Sequence, residues 1–268
     1  MSQFIPCLNA ITIKQAPLLD KISLAAETGY KGIELWANDI AAHEQGGGSL
    51  TELGRRITDL GLSVGTVVHL PNWMNATGQE KTEVWGKCRE MMRQAKDVGS
   101  PYIIAGPPMG ACDLELAAAN YHDLCDLGRE LGVKPAAEFL GFVEKVHTIP
   151  AVMAIVEGSK DPDGTMVMDS FHMVRGGSSL EDLKAVPGSR IAIVHVNDAP
   201  AGKPIPEQSD ADRVMPGDGV IDLAGMFAIL KESGYHGFVS LELFNDSYWS
   251  MDPREALEIG LRKLQPYL

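Results

Sequence analysis

Four residues, Glu138, Asp169, His195 and Glu242, each stand at or beside the end of a short, mostly apolar run. The runs are PAAEF at 135–139, TMVMD at 165–169, RIAIVHV at 190–196 and FVSLEL at 238–243. Such runs read as strands buried on both faces. A charged group at the end of a buried strand is costly unless it is paired or bound to a cation. Neighbouring strands lie ~4.8 Å apart, so the four side chains can converge on one point. Three crowded carboxylates repel one another strongly. One divalent cation would neutralise them and accept the imidazole. An oxygen-rich set with one nitrogen suits Mn²⁺, Mg²⁺, Co²⁺ or Zn²⁺, and the residue types do not choose among these. Each residue alone has a plainer reading. A strand-end Glu or Asp is often a helix cap or a salt-bridge partner, and His195, set between valines, could be a satisfied core histidine. The joint pattern favours the cation site.

Further polar residues surround these four in sequence. His172 lies three after Asp169, Glu144 six after Glu138, and Arg213 sits in the segment DRVMPGDG at 212–219. His69 ends the run 62–69. His172 and Arg213 read as groups that hold hydroxyls or a developing oxyanion beside the cation. The competing readings are a loop salt bridge for Arg213 with Asp210 or Asp212, a solvent-facing loop histidine for His172, and an exposed helical carboxylate for Glu144. Glu34 reads equally as a rim charge that orders loops. Trp36, Trp73 and Trp249 could wall a sugar or simply pack. Asp198 reads as a loop-capping residue and 216–219 as a tight turn. Gly46–Gly48 and the GGSS at 176–179 lack the features of a phosphate cradle, and no GxSxG elbow is present.

These side chains need a scaffold that brings strand ends together. Apolar strand-like runs recur at 4–10, 32–36, 62–69, 101–105, 135–139, 165–169, 190–196 and 238–243. Between them lie helical patterns at 16–28, 50–60, 80–98, 112–131, 149–158, 180–185 and 223–233, with a last helix at 253–264. Alternation of this kind implies a parallel sheet with right-handed crossovers. Glycines at 29, 61, 99, 132 and 234 fall where helices should close in left-handed caps. Eight strand–helix units predict a (β/α)8 TIM barrel, an α/β fold in a single domain over 1–268. A doubly wound open sheet is the alternative. In a barrel the active site lies at the C-terminal strand ends, which is where the four residues stand. The proline-rich segment 199–219 predicts an extended functional loop after strand seven.

Composition narrows the function classes. The 268 residues carry a formal charge of −13. That balance argues against a protein that rides on phosphate backbones. No apolar run reaches the ~18 residues needed to cross a bilayer, and the N-terminus shows no secretory pattern. Four cysteines, without CxxC or structural-zinc spacing, predict free thiols in a reducing compartment. The expectation is a cytoplasmic protein whose partner is a small molecule, with neither nucleic acid nor membrane.

The segments EFLG at 138–141, VMDSFH at 167–172, HVND at 195–198, DRVMPGDGVIDL at 212–223 and VSLELF at 239–244 resemble the xylose-isomerase-like TIM-barrel superfamily of sugar phosphate isomerases and epimerases. CLN at 7–9 and GIE at 32–34 fit as well, so the likeness spans essentially the whole chain. Within the superfamily the chain is most like the inosose (2-keto-myo-inositol) isomerase branch. The resemblance implies that Glu138, Asp169, His195 and Glu242 hold one divalent metal cation. It implies that Glu138 and Glu242 also move the proton, on opposite faces of the substrate. His172 and Glu144 fall at the spacings where related ketose epimerases contact substrate oxygens, and His69 joins the expected substrate-binding set. Arg213 departs from the epimerase pattern and fits the inosose-isomerase-like loop. The implied activity is isomerisation or epimerisation of a keto-sugar or cyclitol through an enediolate. The alternative is a lyase on the same scaffold, resembling inosose or dehydroshikimate dehydratases or keto-glycoside-cleaving enzymes. The resemblance also allows a homo-oligomer. Nuclease relatives with this fold cluster three metals with many more histidines than the seven here, and a non-catalytic scaffold would have no use for an intact ligand set.

Overall fold

The computed structural model describes residues 4–268; residues 1–3, included in the expected domain, lie outside the described residues. Eight parallel strands close on themselves in sequence order. They are β1 Phe4–Asn9, β2 Gly32–Trp36, β3 Ser63–Leu70, β4 Tyr102–Ala105, β5 Lys134–Ala137, β6 Thr165–Asp169, β7 Ile191–Val196 and β8 Gly237–Leu241. Pairing of β1 with β8 seals the cylinder, so the fold is the closed barrel and not the open doubly wound sheet.

The expected crossover helices form at Leu18–Thr28, Leu50–Asp59, Gly78–Asp97, Leu114–Leu131, Ile149–Gly158, Leu180–Lys184, Leu223–Glu232 and Pro253–Leu264. Their starts are chemically marked. Asp113 caps the fourth of these by accepting from the amides of Glu115 and Leu116, and Ser179 and Asp182 form a reciprocal capping box. That box is what the second glycine-serine segment builds, rather than an anion cradle. Left-handed closure follows at the expected glycines, as at Gly132 with φ 78°. Three further helices share one end of the barrel: Ala37–Gln45 and Ser170–Arg175 follow β2 and β6 directly, and Asp246–Trp249 follows β8 after a short loop. They are loop insertions at the C-terminal strand ends, too short or too polar to carry a strong periodic signal.

The apolar interior divides in two. The larger part lies between strands and helices, where Ile33, Leu35, Met166, Met168 and Leu241 meet Ile22, Ile57, Met92, Val152 and Leu257. The smaller part fills the cylinder with Val68, Ile104, Ala136, Val167 and Ile193. Phe238 packs against it. A Cβ on Gly32 would fall 2.6 Å from the Phe238 ring, so glycine there makes room for this plug. The ligand-type residues lie beyond this apolar filling, at the C-terminal strand ends. No helix among the described residues is long and apolar enough to cross a membrane.

Candidate active site and cation centre

Register brings the chemistry together. Asp169 on β6 pairs with His195 on β7, which pairs with Ser240 on β8, two residues before Glu242. Glu138 follows β5 directly, its amide donating to the Ala105 carbonyl, and the Glu242 amide donates to the Val196 carbonyl. Asp169 and His195 are fully buried, and Glu138 and Glu242 nearly so. One oxygen of Asp169, one of Glu242 and one nitrogen of His195 lie within 4.8 Å of one another. Glu138 stands beside this trio, with Oε1 3.8 Å from His195 Nδ1.

Asp169, Glu242 and His195 are each held by their other end. Asp169 Oδ1 accepts the His172 amide at 2.7 Å, capping the short helix Ser170–Arg175. Oδ2 is left facing His195 Nδ1 at 3.8 Å. Glu242 Oε1 accepts Asn9 Nδ2 at 2.8 Å, which leaves Oε2 facing His195 Nδ1 at 3.3 Å. Asn197 Nδ2 adds a contact to Asp169 Oδ2 at 3.3 Å. His195 Nε2 meets Glu34 Oε2 at 3.0 Å, while Nδ1 is buried without a hydrogen-bond partner. A buried imidazole nitrogen without a partner, aimed at three carboxylates, is the donor set a divalent cation takes. The residues present therefore fit the expected ion.

The electrostatics demand positive charge here. Burial opposes protonation of His195, but Glu242 and Glu34 outweigh it and hold its pKa well above the ordinary value. Burial pushes the Glu138 carboxyl up to about 8, with Glu242 and Asp169 adding to the rise and His195 opposing it. Burial also disfavours the charged form of Asp169, yet Arg213, His195 and the hydrogen bond from the His172 amide hold it down at about 2.

Arg213 is the buried cation of the site. Its Nη1 donates to Glu242 Oε2 at 2.7 Å and to Asp169 Oδ2 at 3.1 Å. Its Nε donates to Asp210 Oδ1 at 2.9 Å, and the rings of Phe171 and Phe244 flank the guanidinium at 5.0 and 5.2 Å. The loop that carries it is pinned by Asp198. Oδ1 accepts the amides of Ala199 and Ile221, both at 2.9 Å, and Oδ2 those of Gly217 and Gly219 at 3.0 and 3.1 Å. A Cβ on Gly219 would lie 2.4 Å from Asp198 Oδ1, so only glycine fits the turn.

His172 is buried and neutral in character, its pKa lowered by burial. Gly141 N–H approaches its Nδ1 at 3.2 Å and Arg213 Nη2 its Nε2 at 2.9 Å. A neutral imidazole offers one acceptor nitrogen, so it serves one of these donors at a time. The mouth holds a cavity of about 200 Å³, lined among others by Trp36, His69, Glu138, His172, Arg213 and Phe244. That is below the ~300 Å³ at which drug-sized pockets begin, and it suits a single ring or a short polyol.

Glu144 is not brought to this cavity. It is exposed, and its amide donates to the Met109 carbonyl, tying the loop after β5 to the loop after β4. The turn at 140–146 directs its side chain outward, which a fixed offset from Glu138 does not reveal. Trp73 is fully buried against Tyr121, and Trp249 packs on Phe244 with its Nε1 donating to Ile11, so of the three tryptophans Trp36 alone lines the cavity. The salt bridge of Arg213 with Asp210, the plainer reading of that arginine, forms alongside its contacts with Asp169 and Glu242. Two contributors escaped the sequence reading: Asn9 as the holder of Glu242, and Glu34 as a fully buried neighbour of His195. The signal for Glu34 was a charge inside an otherwise apolar strand.

Comparison with known proteins adds four findings. Residues 22–267 match the family model described as xylose isomerase-like TIM barrel. Inosose isomerase from Halalkalibacterium halodurans is 30% identical over 260 residues, covering 94% of this chain and 92% of that protein. The 3-dehydroshikimate dehydratase of Pseudomonas putida is 25% identical over 92% of this chain and 39% of its own length. Among solved structures, the IOLI protein with a bound zinc atom superposes with a TM-score of 0.90 at 28% identity, covering 98% of both chains.

Proposed function

Because the chain belongs to the xylose isomerase-like TIM-barrel family, we propose that it is a divalent-metal-dependent isomerase or epimerase of an inosose-like cyclitol or keto-sugar, working through an enediolate. The observation that carries this reading is the buried, partnerless His195 Nδ1 aimed at Glu138, Asp169 and Glu242 beside a ring-sized cavity. Asp169, His195 and Glu242 would hold the ion, with Glu138 beside them as a fourth ligand. When bound, such an ion supplies Lewis-acid polarisation of a substrate carbonyl, which acidifies the neighbouring C–H.

The protein's own groups do the rest. Glu138, at the cavity wall, removes the α-proton. His172 and Arg213, both at the cavity wall, hold the oxygens on which negative charge develops. Glu242, on another side of the cavity, returns a proton. Return to the neighbouring carbon gives isomerisation, and return to the opposite face of the same carbon gives an epimer. His69 and Trp36 shape the apolar side of the cavity. The reading includes a small-molecule partner, a cytoplasmic setting and a chain that forms one domain.

The likeness to a dehydratase supports a second outcome, loss of a β-hydroxyl from the same enediolate.

The test is ¹H NMR of inososes and keto-sugars in D₂O with cation-stripped and cation-reconstituted protein. Cation-dependent deuterium uptake at an α-carbon is expected, and the product signals separate isomer, epimer and dehydrated product. No cation uptake under any reconstitution, or no exchange on any such ketone, would overturn the reading.

A further inference from the structure

The residues that hold the site together converge on Glu34. It lies on β2, next to the strand of Asn9 and across the barrel from β6, the strand of Asp169, and is fully buried. Its Oε2 meets His195 Nε2 at 3.0 Å and accepts the Thr66 hydroxyl. Its Oε1 accepts Asn9 Nδ2 at 3.3 Å. The same Asn9 nitrogen donates to Glu242 Oε1 at 2.8 Å. The Asn9 amide cannot turn over, because its Oδ1 accepts Trp36 Nε1 at 2.8 Å and the Ile11 amide at 3.1 Å. Thr66 reaches inward because β3 has an irregular register opposite Glu34: Ile33 pairs with Val64 but Leu35 with Val67.

We propose that Glu34 is a positioning residue. It accepts the Nε2–H of His195, so that Nδ1 faces the point the three carboxylates surround and offers its lone pair there to a cation, and through Asn9 it sets which oxygen of Glu242 faces the same point. An acceptor-only carboxylate opposite Nε2 leaves a neutral ring one tautomer, with the proton at Nε2. Partners of this kind behind a metal-bound imidazole raise its basicity and fix its plane. The reach of this side chain is twofold, since one carboxylate governs the nitrogen ligand directly and an oxygen ligand at second hand. Glu34 touches neither the cavity nor the reacting atoms, so its influence would pass through His195 and Asn9 alone.

The inference rests on the cation reading for its consequence but not for its geometry, and two measurements separate them. The first is NMR of ¹⁵N-histidine-labelled protein. An exchange-protected N–H bonded to Nε2 of His195 is expected in wild type with and without cation. It should persist in Glu34→Gln, whose amide oxygen can still accept, and vanish in Glu34→Ala. The second is cation affinity by calorimetry. A loss of about 10-fold is expected in Glu34→Gln and about 100-fold in Glu34→Ala, the span of changes behind metal ligands. Should Glu34→Ala fail to fold, Thr66→Val, which removes one donor to the same carboxylate, must shift the Nε2–H resonance. A wild type without a protected Nε2–H, or a folded Glu34→Ala with wild-type affinity, would overturn the proposal. A wild type that shows the Nε2–H but takes up no cation would sink the cation reading while leaving the placement of His195 standing.

Discussion

The two halves of the barrel mouth divide the labour. The β5–β8 half carries Glu138, Asp169, His195 and Glu242, the groups able to meet a cation and a substrate. The β1–β4 half carries Asn9 and Glu34, which touch the first group from behind, and Thr66, which donates to Glu34, with Trp36 and His69 at the cavity wall. One half supplies reactivity and the other supplies aim. Substitutions in the first should therefore abolish chemistry, and those in the second should degrade affinity and geometry.

The strongest way to break this division is to remove a ligand. Glu242→Gln and Asp169→Asn should each lose more cation affinity than the ~100-fold upper end for residues behind the ligands. Elemental analysis beside calorimetry checks this; near-normal cation content in both would abolish the distinction between the halves. In Asp169→Asn the loss of the Arg213 contact adds to the effect, because the guanidinium keeps fewer anionic partners.

A subtler test uses proton linkage at Glu138. Its folded, cation-free pKa of about 8 lies above the ordinary 4.5, so the folded state holds the proton more tightly than the unfolded one. Stability contributed by this group is thus full below about pH 4.5 and is lost as pH rises toward 8. Denaturant unfolding in the presence of chelator should fall with pH in wild type and less steeply in Glu138→Gln, the difference reaching roughly 1 kcal/mol per pH unit within that window. Added cation should flatten the wild-type curve, since it favours the ionised carboxylate. Parallel curves in the two proteins would take Glu138 out of the titrating cluster.

The smallest effect belongs outside both halves. Glu144→Gln should leave turnover within about two-fold, because an exposed side chain removed from the cavity changes little. A large loss in kcat/KM would mean that the loop at 140–146 swings inward when substrate binds.

The same division explains what was legible in the sequence. Glu138, Asp169, His195 and Glu242 stand out because a charge ends each apolar run, and eight alternating units leave little choice but a closed barrel. Asn9 and Glu34 are harder to read. Their partners come from four different strands, and the irregular β2–β3 register that turns Thr66 toward Glu34 leaves no local mark. Arg213 was legible as a candidate but not as the bridge between Asp169 and Glu242, which depends on how a 21-residue segment, 199–219, folds back over the mouth. Glu144 failed for the converse reason: a fixed offset from a ligand says nothing about where a turn points.

The four amides gathered by Asp198 have a consequence for redesign. They belong to residues at the two roots of the loop, Ala199 at one and Gly217, Gly219 and Ile221 at the other. The stretch between Pro200 and Gln208 hangs from these fixed roots, upstream of Asp210 and Arg213. Doubling the length of such a closed segment costs only about 0.6 kcal/mol in chain entropy. It is therefore a natural cassette for exchange or insertion, where new side chains could be brought to the barrel mouth while the guanidinium and the carboxylates beneath it keep their positions.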